Sequence, residues 1–256
     1  MGSFFNKKSS WFIILISLFL LVLFLDFIFF YPKFGESIDE ENLRYLGYKS
    51  INETKKILIG ALKPGDIVAE KPSSFIGSYQ YALEKGGVLT NFFFFIFYYN
   101  LFDKIFINSM GEDGYWHVYI YLGNGTLNSL DFTGVENRQI DENFLKSGYY
   151  KLLRVNAEEE FKQKAIQKAV LHERNKDISY SLKNGVIVVF SKSTGIFPFA
   201  ELDEDSLVCS SYQALIYNDI SFTPGKQFTY ISPEDIDESE LTETVFIKNK
   251  KGVYIK

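Results

Sequence analysis

The sequence predicts an α+β domain, an antiparallel sheet with packed helices, preceded by one transmembrane helix. Three observations point there. Residues 11–31 form an apolar run whose only polar side chains are Ser17 and Asp26. Apolar or alternating runs at 66–69, 116–122, 126–132 and 149–155, set off by turn residues, follow the pattern of strands. Residues 157–174 instead repeat apolar side chains at helical spacing.

The apolar run is long enough to span a bilayer: 21 residues at about 1.5 Å each cover about 31 Å. A cleaved signal peptide ends in small residues, whereas this run leads into Phe29-Phe30-Tyr31-Pro32-Lys33-Phe34. A retained anchor is expected. Lys7 and Lys8 precede it, and Glu36, Asp39, Glu40 and Glu41 follow. Residues 1–10 are therefore expected in the cytoplasm and the domain outside it. Asp26 lies near the outer end, where water reaches it. Asn6 stands where myristoylation of Gly2 needs Ser or Thr. Residues 32–61 read as a juxtamembrane linker and helix, and residues 62–256 as the domain.

Setting aside Lys7, Lys8 and Asp26, 25 basic residues face 31 acidic ones, a net of −6. With no basic run, nucleic acid is not an expected partner. Cys209 is the single cysteine, so no internal disulfide can form, and a lone thiol facing an oxidising compartment must be buried or chemically employed.

Along the domain, a helix up to about Leu62 gives way to a Lys63-Pro64-Gly65 turn and a strand at 66–69. Residues 73–85 read as a helix ending at Gly86-Gly87. Residues 92–99 are eight apolar, mostly aromatic residues without a break, too short for a second span. They suit either a buried helix or a patch against lipid, which with the anchor makes membrane lipid the expected partner. A strand at 116–122, a Gly123-Asn124-Gly125 turn and a returning strand at 126–132 make a hairpin. A strand at 149–155 and the helix at 157–174 follow, then a β-rich run at 185–190 and a helix at 206–217 beginning near Cys209. Strands at 228–231 and 244–247 flank a helix start at Ser232-Pro233-Glu234.

Thiol chemistry needs a cysteine, a base within hydrogen-bond reach and a group to orient that base. The chain offers Cys209 and two histidines. His117 opens a strand, whereas His172 sits beside Glu173 and Arg174 late in a charged helix, where a solvated surface role is expected. At a helix N-terminus, Cys209 would meet unpaired N–H groups that favour a thiolate and can hold an oxyanion. The competing account is a small buried core residue. Two histidines and one cysteine far apart lack zinc-ligand spacing, so no metal is expected, and no motif calls for a cofactor.

Four segments carry a resemblance. They are Leu62-Lys63-Pro64-Gly65-Asp66-Ile67-Val68, Tyr115-Trp116-His117-Val118-Tyr119-Ile120-Tyr121-Leu122-Gly123-Asn124-Gly125, Val208-Cys209-Ser210-Ser211, and Tyr230-Ile231-Ser232-Pro233-Glu234-Asp235-Ile236 through Val245. In this order they resemble the circularly permuted, papain-fold cysteine hydrolases of the NlpC-like superfamily, specifically the YiiX-like group. The resemblance covers about residues 62–247 and implies a permuted papain-like fold with His117 as base and Cys209 as nucleophile. The family places a Glu on the returning strand to orient the histidine. Here that strand offers Asp131 or Ser129, which alternation puts on one face. Ser211 replaces the family's Glu after the nucleophile, and residues 86–113 form an aromatic insertion. Tyr115 is a further polar contributor by resemblance. The implied activity is hydrolysis of an amide or ester in a peptide or acyl, lipid-like substrate. An acyltransferase of the same fold and an inactive binding module are the alternatives.

Overall fold

A computed structural model describes residues 43–72, 117–131, 133–181, 184–185, 205–218, 220–224 and 227–256. The expected anchor at 11–31, the helix at 73–85, the aromatic run at 92–99 and the insertion at 86–113 lie outside the described residues. So do Tyr115 and most of the run at 185–190. Among the described residues no helix is long and apolar enough to cross a membrane.

The chain enters through strand β1, Arg44–Gly47, and helix α1, Ile51–Ala61. Helix α1 starts at a capping box in which the Ser50 hydroxyl accepts from Glu53 N–H and the Glu53 carboxylate accepts from Ser50 N–H. Next come β2, Ile67–Pro72; β3, His117–Gly123; β4, Thr126–Asp131; and β5, Gly134–Gln139. Helix α2, Glu142–Ser147, leads to β6, Gly148–Val155, and then α3, Glu159–Asn175. Two short strands, β7 (Ser179–Tyr180) and β8 (Ser206–Leu207), pair in parallel ahead of α4, Cys209–Ile216. A 3₁₀ turn at Phe228–Tyr230, helix α5 at Pro233–Asp237, and strands β9, Thr242–Asn249, and β10, Gly252–Ile255, complete the described elements.

Eight strands form one antiparallel sheet in the order β1-β10-β9-β6-β2-β3-β4-β5. This is the expected α+β arrangement. Helices cover both faces, and strand alternation sorts neighbouring residues between them. Ile67, Ala69, Val118, Ile120, Leu153 and Val155 pack with Ala165 and Ala169 of α3 and Cys209, Tyr212 and Ile216 of α4. Val68, Tyr119, Tyr121, Leu127, Tyr150 and Leu152 pack with Leu58 of α1 and Phe144 of α2. Burial on both faces is why the central strands read as nearly unbroken apolar runs.

The structure corrects one expectation. Residues 228–231 do not form a strand but the 3₁₀ turn, closed by Tyr230 N–H to Gln227 O and Ile231 N–H to Phe228 O at 3.0 and 3.2 Å. The Thr229 and Ile231 carbonyls are instead taken by the Ser211 and Ser210 hydroxyls. The helix expected to begin near Cys209 starts at that residue, and Ser206 and Leu207 just ahead of it pair with Ser179 and Tyr180. The Ser232-Pro233 helix start is present as α5, with Ser232 and Asp235 forming a second capping box.

The Lys63-Pro64-Gly65 turn positions β2. Gly65 has φ +87°, and a Cβ added there would lie 2.8 Å from Lys162 Cβ. Its N–H donates to Tyr121 O at 2.8 Å, and its carbonyl accepts from the Tyr217 hydroxyl. Gly65→Ala therefore meets both a disfavoured backbone and a collision. Urea unfolding should show a loss of about 1–3 kcal/mol in stability with an unchanged m-value.

Candidate active site

Helix α4 starts where β8 stops pairing. Its N-cap residue, Val208, is extended and provides no side-chain cap, so the amide groups of the first turn have no such partner. Cys209 is the first helical residue and is only 5% exposed. The four side chains that follow are each tied down. Ser210 Oγ donates to Ile231 O at 2.7 Å, and Ser211 Oγ donates to Thr229 O at 2.9 Å. Tyr212 donates its hydroxyl to Asn128 Oδ1 at 2.9 Å. Gln213 Nε2 reaches both Val118 O and Asn128 O at 3.4 Å, bridging β3 and β4 from above. Burial pushes the Tyr212 phenol well above its ordinary range, so it remains a donor at any relevant pH.

His117 is the first residue of β3. Alternation places it on the face of Tyr119, whose ring it meets edge-on at 4.5 Å between centroids. The imidazole is hydrogen-bonded to Cys209, which α4 carries on the opposite face. His117 Nε2 is buried and has no hydrogen-bond partner. The β3–β4 register pairs Ile120 with Asn128 and Tyr121 with Leu127; continued to the end of both strands, it sets Asp131 across from His117. Burial alone pushes the imidazole's pKa down. The Cys209 charge and hydrogen bond, followed by the Asp131 and Glu70 carboxylates, outweigh burial and hold it above its ordinary value. The arrangement favours a protonated imidazole beside Cys209.

The structure thus brings Cys209, His117 and Asp131 together. Ser129 lies two residues from Asp131 but donates its hydroxyl to Val118 O at 2.6 Å, a backbone tie within the hairpin. Glu70, which the sequence reading did not single out, sits opposite His117 on β2 and is buried. His172 departs from the expected solvated surface role: it is half-buried, pairs through Nδ1 with Asp177 Oδ1 at 2.9 Å, and lies edge-on to Tyr212 at 6.1 Å. Among the described residues, no group of three or more His, Cys, Asp or Glu could hold a metal ion. No family model matches the chain, and a search of curated proteins returns no match.

The raised pKa of His117 has a consequence for stability. A histidine that binds its proton more tightly when folded adds stability that is fully present below its unfolded pKa of about 6.5. That contribution disappears as pH rises through the folded value. The difference in unfolding free energy between wild type and His117→Ala should therefore be greatest on the acid side and shrink with rising pH. Urea titrations at several pH values measure it; a difference that grows toward alkaline pH would contradict the assigned direction.

Proposed function

We propose that the chain is a membrane-anchored cysteine hydrolase with a circularly permuted papain-like domain, acting on an amide or ester in a peptide or acyl substrate. The observation that carries this reading is the hydrogen bond between His117 and Cys209 at the first residue of α4. Asp131 on the neighbouring strand supports it. The chain order, with the histidine strand ahead of the cysteine helix that packs on it, supports the permuted assignment.

In the proposed reaction the Cys209 thiolate attacks the substrate carbonyl carbon, and the C=O electron pair moves onto oxygen. That oxyanion is placed to meet first-turn N–H groups of α4, including that of Cys209. The His117 imidazolium gives its proton to the leaving nitrogen or oxygen as that bond breaks, leaving an acyl-thioester and neutral imidazole. Water then attacks the thioester, giving a proton to His117. Collapse of the second tetrahedral intermediate releases the acid and restores the thiolate. Asp131 orients and stabilises the imidazolium throughout.

The near-complete burial of Cys209 favours a second reading, a binding module whose cysteine is inert. Alkylation by iodoacetamide separates the two. If the dyad operates, Cys209 reacts readily at neutral pH, and His117→Ala slows it on the order of tenfold or more. His172→Ala leaves the rate alone, and Asp131→Asn falls between wild type and His117→Ala. Alkylation indifferent to His117 in a folded variant would leave the binding module as the better account.

The same proposal places residues 1–10 in the cytoplasm and the domain outside, on the strength of Lys7 and Lys8 against the acidic cluster after the apolar run. Protease added to intact cells should digest the domain. Full protection, with permeabilised controls digested, reverses the orientation.

A further inference from the structure

The β2–β3 register sets Glu70 directly opposite His117, as the β3–β4 register sets Asp131 on its other side. Directly opposed residues in an antiparallel pair carry their side chains on one face. The imidazole therefore belongs to a row of three strands whose outer members are both carboxylates. Glu70 is 8% exposed, and the fold supplies what a carboxylate needs there. Tyr119 donates its hydroxyl to Glu70 Oε2 at 2.6 Å, and Tyr150 donates to Oε1 at 3.3 Å. Arg138 Nη1 stands 3.7 Å from Oε2 and donates to the Tyr119 hydroxyl at 3.2 Å. Space is reserved as well: a Cβ on Gly148 would lie 3.1 Å from Glu70 Oε1 and 2.8 Å from Lys71 O.

A buried Glu–Tyr–Arg cluster can serve merely to join β2, β3, β5 and β6. Two observations take this one further. Tyr119, which holds Glu70, is also the residue whose ring packs edge-on against His117. The His117 ring has a buried nitrogen, Nε2, without a partner, and so depends on its surroundings to stabilise a proton there.

We propose that Glu70 is a positioning residue for His117: together with Asp131 it keeps the imidazole protonated between two carboxylates, and through Tyr119 it sets the tilt of the ring. The proposal rests on the reading of Cys209 and His117 as a catalytic pair. The groups facing His117 are Glu70 from β2, Tyr119 from its own strand, Asp131 from β4 and Cys209 from α4. Arg138 from β5 opposes them by partly neutralising Glu70, while Tyr150 from β6 contacts only the far side of that carboxylate. Lys248 from β9, 5.3 Å from the centre of the Tyr150 ring, also feels the Glu70 charge and, like Arg138, offsets part of it.

The test uses the full-length chain labelled with ¹³C at histidine Cε1. Only two histidines are present, so His172 serves as the internal control as both signals are followed against pH. Glu70→Gln retains an oxygen to accept from Tyr119 and removes the charge. It should lower the His117 inflection by roughly half a pH unit or more while leaving His172 unmoved. Arg138→Gln, which unmasks the Glu70 charge, should move it upward. If Glu70→Gln fails to fold, Arg138→Gln still decides the matter through the opposite sign. A His117 inflection that stays put in the folded variants would overturn the proposal and leave Glu70 purely architectural. Failure of the Cys–His pair itself gives a different result, alkylation that ignores His117→Ala.

Discussion

The site depends on how α4 is fixed across β3 and β4. Gln213 spans the two strands by contacting one backbone carbonyl on each, and Tyr212 reaches Asn128 on the second. On the other side, Ser210 and Ser211 clamp the 3₁₀ turn that precedes α5. With four consecutive side chains held by fixed partners, the helix can neither rotate nor slide without breaking several buried bonds at once. The position of Cys209, one residue ahead, is set by theirs. The Ser211 hydroxyl is the right length to hold the Thr229 carbonyl in the packed interior.

The sheet contributes a second constraint. His117 shares a face with Tyr119 and the helix bearing Cys209 lies on the other, so the pair meets across the sheet at the first described residue of β3. Within the sheet, the face carrying Tyr119 is not uniformly apolar. Below His117 it holds Glu70, Arg138 and two phenols, which link β2, β5 and β6 through side chains as the ladder links them through backbone. Phe144 lies against this cluster, stacked on Tyr150 at 4.5 Å and carrying the Arg138 guanidinium over its ring, 4.9 Å from the centroid. Aromatic and ionic contacts there reinforce each other by excluding water from the charges.

Much of this was legible in the sequence, and the omissions have physical causes. Strands β3, β4 and β6 stood out because both their faces are buried, and the Asn124-Gly125 turn marked the hairpin between the first two. Helix α3 followed from the spacing of Ala165 and Ala169, both buried as expected. Strand β5 carried no such signal, since Val135 is its only buried side chain and it stands last in the sheet among the described strands. Helix α2 is six residues long, too short for a period to show. Residues 228–231 looked like a strand because Phe, Thr, Tyr and Ile favour extended backbone, whereas the decisive partners, Ser210 and Ser211, lie far away in sequence. At the site, residue type singled out Cys209 and His117. Choosing between Ser129 and Asp131, and noticing Glu70 at all, required strand register, which a single sequence does not display.

Among the described residues strand β1 has one neighbour in the sheet, β10, and Arg44 pairs with Ile255. The first described strand to leave the ribosome therefore has no partner until almost every other element has been made. Until then β1 is an open segment bearing Tyr45 and the adjacent Tyr48, both largely exposed even in the finished fold. A chain emerging gradually, whether from the ribosome or through a translocation pore, would assemble the hairpin and α4 before closing this edge. Sheet closure is thus a late event in biogenesis, set by sequence separation rather than by the strength of any single contact.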